Sequence, residues 1–180
     1  MRGQKQMEKW QTGDIVAFES LFRQNERQVF RTAYLIVGSK EEAEDVLQEV
    51  FLSAWRSRET YDPAKAKLIT WLHRITVNQC MNNRRKDTAN TDIEGLDFPE
   101  SSNRQPEEIM VTKYEYELLQ YALTEMDKKH RAVIVLRYLN DLPYGEIAEI
   151  LGIPLGTVKS RLNQALGCLK QSMSTEKKTV

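Results

Sequence analysis

Residues 143–170, PYGEIAEILGIPLGTVKSRLNQALGCLK, decide the reading of this chain. Two short helices that cross steeply need a small residue at the crossing, and Ala148 supplies it. Gly152, four residues later, is free to take the left-handed conformation that ends the first helix sharply. Ile147, Ile150, Leu151, Ile153, Val158 and Leu162 fall where a shared apolar interior would lie. The second helix opens at Leu155 and presents Thr157, Lys159, Ser160, Arg161, Asn163 and Gln164 on its polar side. The pattern predicts a helix-turn-helix, whose second helix enters the major groove of DNA. There Lys and Arg reach phosphates or guanine edges, and Asn and Gln pair with adenine. A plain helical hairpin with a solvated polar face is the alternative, and the polar helix start weighs against it.

Upstream of this unit the pattern stays helical. Asp127 is an N-cap for a helix ending near Leu139, and helical periodicity begins near Glu107. Residues 88–107 are polar, acidic and broken by Gly and Pro, and read as a flexible linker. Before them stands TWLHRITVNQCMNNRRK, residues 70–86, within a helix expected from about Ile69 to Arg85. It interleaves Trp71, Arg74 and a run of amides that includes Asn78, a mixture suited to unpaired nucleic acid. Trp71 is in phase with Leu72 and Ile75, so a core role competes with base stacking. EEAEDVLQEVFLSAWR, residues 41–56, follows Ser39, which with Glu42 reads as a capping box. Its outer face, Asp45, Gln48 and Glu49, repels phosphate and suits a basic protein partner, or is an ordinary solvated face. A first helix is expected over about Asp14 to Val37, stopped by Gly38.

Composition sets the outer bounds. Hydrophobic residues make up 41% and charged residues 29% of the 180, which excludes wholesale disorder. No apolar run reaches the ~18 residues of a membrane span, and the first ten residues hold no signal-peptide core, so a cytoplasmic protein without direct membrane insertion is expected. Cys80 and Cys168 lack metal-site spacing, and His73 and His130 have no ligand partners in sequence, so no metal, cofactor or catalytic residue is expected. Net charge zero hides segregation: residues 56–86 carry eight basic against two acidic side chains, residues 87–112 one against seven, and residues 128–172 seven against three. Two basic segments around an acidic one predict two polyanion-binding faces. The fold class expected is all-α: two small helical domains, 10–87 and 108–175, joined by a flexible acidic linker.

Taken together and in this order, EEAEDVLQEVFLSAWR, TWLHRITVNQCMNNRR, an acidic linker and a helix-turn-helix resemble the extracytoplasmic-function (ECF) sigma factors of the bacterial sigma-70 family. The resemblance runs from about residue 10 to 172. It implies a promoter-specific initiation factor, stress- or signal-responsive, that binds core RNA polymerase through its clamp helices and flap. Asp45, Gln48 and Glu49 match the clamp-helix contact. Thr70 to Asn78, with Trp71, Arg74 and Asn78, match the helix that meets the minus-ten element. The loop of about Arg58 to Lys67, with Lys65 and Lys67, matches the one that captures a flipped base of the melted non-template strand. Gly156 to Arg161 match the helix that reads the minus-thirty-five element as duplex. The resemblance also implies an anti-sigma factor as partner, which could hold the chain at the membrane. Leu68 departs from the Phe common at its place, and Asn163-Gln164 from residues often aromatic and basic. The main rival is a dimeric helix-turn-helix regulator with residues 1–86 as effector module; a protein-interaction module is the second.

Overall fold

The computed structural model describes residues 2–82 and 121–176, with side chains from 7 to 82 and from 121 to 171. Among the described residues every regular element is helical. The expected linker lies outside them. The first unit holds α1 (Arg2–Gln11), α2 (Ile15–Val37), α3 (Lys40–Arg56), a single 3₁₀ turn (Arg58–Thr60) and α4 (Leu68–Asn82). The second holds a helical turn at 121–124, α5 (Lys128–Ile134) running on as a π turn (Val135–Leu139), α6 (Tyr144–Leu151) and α7 (Leu155–Glu176).

Local chemistry explains the boundaries. Asp14 caps α2 by accepting from the backbone N–H groups of Val16 and Ala17, at 2.9 and 3.1 Å. Gly38 ends it at φ 84°, the left-handed conformation that costs glycine little. Ser39 caps α3 by accepting from Glu42 N, but the reciprocal half of the capping box is replaced. Ser39 Oγ donates to Glu41 (2.9 Å), and Glu42 turns to Lys128 of the second unit (3.7 Å). Asp127 caps α5 through His130 N at 2.9 Å, and Gly152 ends α6 at φ 62°. Helix α4 begins one residue before its expected start.

α2, α3 and α4 pack on one another around Leu21, Val29, Val46, Val50, Leu72 and Val77. The sequence reading missed α1. Its Trp10 is wholly buried and meets Tyr61 and Trp71, both with ring centroids 5.8 Å away. Tyr61 and Trp71 in turn lie 5.3 Å apart, so α1 is clamped under the start of α4. In the second unit Ile147, Ile150, Val158 and Leu162 are buried, as the periodicity predicts, together with Val133 and Leu136, while Leu151 and Ile153 are partly buried.

The two units are in direct contact, which nothing in the periodicity announces. α2 meets α5 and the π turn, and α4 meets α5 and α6. Thr70 Oγ1 donates to Glu146 Oε2 at 3.1 Å, and Asn140 Nδ2 donates to Thr32 Oγ1 at 3.1 Å. Arg131 is buried and lies so close to Gly38 that a Cβ there would sit 2.9 Å from its guanidinium. Glycine at 38 therefore serves both the turn and this approach.

Candidate protein and nucleic-acid interfaces

On α3, Asp45, Gln48 and Glu49 are all exposed on one side, three and four residues apart. The opposite side, Ala43, Val46, Val50 and Ala54, is buried against α2 and α4. One turn beyond Gln48 and Glu49 stands Leu52, 46% exposed. It lies off the buried stripe of Ala43, Val46, Val50 and Ala54, and its position seven after Asp45 puts it on the acidic side. An exposed leucine next to carboxylates and an amide gives this side of α3 an apolar as well as a charged component.

The loop between α3 and α4 is well tethered at one end. Arg58 stacks over Trp55 at 4.7 Å and donates to its carbonyl oxygen at 2.8 Å. Gln11 of α1 donates to Tyr61 O at 2.6 Å, and Tyr61 Oη donates to Ala66 O at 3.1 Å. Asp62 accepts from Ala64 N and pairs with Lys65 at 3.7 Å. Lys65 and Lys67 are both exposed at the far end, next to the start of α4.

α4 divides its circumference. Arg74 and Asn78, one turn apart, face outward with half-buried Trp71 on the same side. Trp71 meets Trp10 edge-on and Tyr61 at a tilt, so its indole is fixed by the core that it helps form. The neighbouring stripe, Thr70, His73, Val77 and Cys80, is buried. Burial lowers the His73 pKa to about 4, so the imidazole is neutral at ordinary pH. Its Nδ1 is buried with no hydrogen-bond partner, and Nε2 lies 3.5 Å from Gln28 Nε2. Burial likewise pushes the Cys80 thiol up to about 12, which makes it inert as a nucleophile.

The polar side of α7 is open at its start. Lys159, Ser160, Asn163 and Gln164 are exposed, and Thr157 and Arg161 are half-buried. Ser160 Oγ donates back to Thr157 O at 3.0 Å, and Gln164 Oε1 lies 3.1 Å from His130 Nε2. Gln164 is thus engaged within its own unit. Lys159 and Asn163, one turn apart, point outward together. Among the described residues the outward cation of α4 is Arg74, and that of the start of α7 is Lys159, with Arg161 half-buried beside it. Among the described residues no cluster of His, Cys, Asp and Glu could hold a metal ion, and no helix is long and apolar enough to cross a membrane.

The comparisons agree with this layout. Residues 21–90 match Sigma-70 region 2, and residues 116–169 match Sigma-70, region 4. The chain is 30% identical to the ECF RNA polymerase sigma factor SigW of Bacillus subtilis, over 94% of this chain and 95% of that one. It is also 30% identical to the ECF RNA polymerase sigma factor RpoE of Cereibacter sphaeroides, over 89% and 88%. Among solved structures, the sigma factor RpoE of Bartonella quintana, in complex with the anti-sigma factor NepR, shares the fold with a TM-score of 0.66 at 21% identity, over 87% of this chain and 96% of that one. CnrH in complex with the cytosolic domain of CnrY does so with a TM-score of 0.64 at 20% identity, over 94% and 96%. The region 2 match spans the acidic face of α3 and all of α4, and the region 4 match spans the helix-turn-helix of α6 and α7. This chain belongs to the ECF sigma factors of the sigma-70 family, alternative sigma factors that direct transcription initiation and are not catalytic enzymes.

Proposed function

We propose that the chain binds core RNA polymerase and directs it to promoters through two separate DNA contacts, one at the minus-ten and one at the minus-thirty-five element. The observation that carries this reading is the placement of three exposed faces on three helices. Asp45, Gln48 and Glu49 on α3 meet the clamp helices of polymerase, with Leu52 extending the contact by one turn. Residues 10–87 thus form the polymerase-binding and melting domain, 88–107 the linker and 108–175 the duplex-reading domain, which also meets the polymerase flap.

Arg74 and Asn78 on α4, with Lys65 and Lys67 beside it, take the minus-ten element as its strands separate. Capture of unpaired bases offsets the cost of unstacking only in the melted state, so such contacts favour opening. Trp71 supports this face from the aromatic cluster. Thr157, Lys159, Ser160, Arg161, Asn163 and Gln164 at the start of α7 read the minus-thirty-five element as duplex. The chain acts in the cytoplasm, without a cofactor, under stress or signal control, and is restrained by an anti-sigma factor that is free to be membrane-bound. Run-off transcription with core polymerase, with and without the protein, on genomic promoter fragments is the test. Promoter-dependent transcripts are expected only with the protein; none on any template would refute the reading.

A further inference from the structure

α1 (Arg2–Gln11) stands ahead of residues 21–90, the stretch that matches region 2, and neither promoter contact proposed above uses it. Its end nevertheless reaches the loop of about Arg58 to Lys67. Trp10 is wholly buried, and its ring lies 5.8 Å from that of Tyr61. Gln11, half-buried, donates from Nε2 to Tyr61 O at 2.6 Å. Just beyond the helix, Gly13 at φ 91° carries the chain past the Arg58 guanidinium, which a Cβ at Gly13 would meet at 3.7 Å.

Tyr61 passes the restraint on. It is buried, lies 5.3 Å ring to ring from Trp71, and donates from its hydroxyl to Ala66 O at 3.1 Å. Inside that span Asp62 accepts from Ala64 N at 2.9 Å through its carboxylate and from Lys65 N at 3.1 Å through its carbonyl. The loop is thus a tight turn whose own bonds are local, and Gln11 and Trp10 help to fix where that turn stands beside α4. Lys65 and Lys67 project from it into solvent. A loop ordered before it meets a ligand loses less conformational freedom on binding, so the same contacts hold the ligand more tightly.

We propose that α1 is a positioning element for strand opening: Gln11, Trp10 and Gly13 hold the loop of 58–67 in the shape in which it takes an unpaired base of the minus-ten element. The inference rests on the melting role given to that loop above. Gln11 is the residue that separates this role from plain support of the core. Trp10 serves both, because emptying its site would unsettle the whole first unit. Gln11 is not part of the buried core, and its side chain reaches the loop through one hydrogen bond to the Tyr61 carbonyl. Losing one such bond weakens an equilibrium that depends on it by about two- to tenfold.

The test uses the full chain, free and bound to core polymerase, with Gln11→Ala and with Gln11→Met, which keeps the length of the side chain and loses the donor. In the free chain, trypsin should cut after Lys65 and Lys67 about two- to tenfold faster in both variants than in the wild type. With core polymerase, both variants should bind the single non-template strand of a minus-ten element, taken from a promoter found by run-off transcription, about two- to tenfold more weakly. Duplex minus-thirty-five DNA should be bound as the wild type binds it. Wild-type affinity for the single strand in either variant overturns the proposal, and so does unchanged cleavage of the loop. An equal loss for single strand and duplex also overturns it, because that is the mark of general destabilisation. Failure of the underlying reading looks different: the wild-type holoenzyme itself would then show no preference for the minus-ten single strand, while cleavage of the free chain would still report whether α1 orders the loop.

Discussion

Helices α4 and α7 carry the same kind of outer face, cations and amides one turn apart, on opposite kinds of support. α7 stands on helices of its own unit: it packs on α5 and α6, and Val158 and Leu162 are buried as Ile147 and Ile150 are. α4 is held from every other side by distant parts of the chain, with Trp10 beneath its start, α2 and α3 behind it and the second domain along Thr70. A face whose supports are remote can be coupled to events elsewhere, and in this chain it is the face assigned to melting.

Removing a remote support should produce the largest effect. Trp10→Ala empties a fully buried site and should destabilise the first domain by about 3–5 kcal/mol, read from denaturant midpoints. Asn163→Ala on the surface of α7 should stay within about 0.5 kcal/mol. Equal shifts for both would erase the contrast between the two helices.

The next effect is on pH dependence. The pKa of His73 is lowered to about 4 in the folded chain and is about 6.5 when exposed. Between those values the unfolded chain binds more protons, so stability is present above about 6.5 and is lost as pH falls toward 4. The full loss amounts to at most about 3 kcal/mol. Denaturant midpoints at pH 7 and pH 5 should differ in the wild type, and His73→Gln should flatten the difference. An equally steep dependence in the variant would move the effect to other groups.

Smaller still is the effect on polymerase. Reversing Asp45 and Glu49 to lysine should weaken core binding by about tenfold, or 1.4 kcal/mol, without changing the helical content of the chain. Leu52→Ser should do the same without altering charge. Undiminished capture of core enzyme by both variants would remove α3 from the interface.

How much of this was legible in the sequence follows the same division. The helix-turn-helix could be read because its determinants are local: Ala148, Gly152 and the apolar spacing sit within twenty residues, and the structure keeps each where the spacing puts it. The caps at Asp127 and Ser39 were legible for the same reason, although Glu42 left its capping role for Lys128, 86 positions away. Trp10 could not be read, because one aromatic in a polar ten-residue helix shows no periodicity until Tyr61 and Trp71 are placed around it. The domain contact was hidden because Thr32, Thr70, Asn140 and Glu146 look like surface residues, yet Thr32 and Thr70 are buried and Asn140 and Glu146 half-buried where they pair. Leu52 was missed because it falls off the apolar stripe, which is also the signal that could have found it.

The division of labour between α7 and α4 is the centre of the account, and permanganate footprinting on matched and pre-melted promoter templates tests it most directly. Lys159→Ala should weaken upstream binding by about 1–3 kcal/mol, and a downstream bubble should not rescue it. Asn78→Ala should lower open-complex formation by a similar amount, and the same bubble should restore most of it. Rescue of Lys159→Ala by the bubble, with Asn78→Ala left impaired, would contradict the assignment of the two helices.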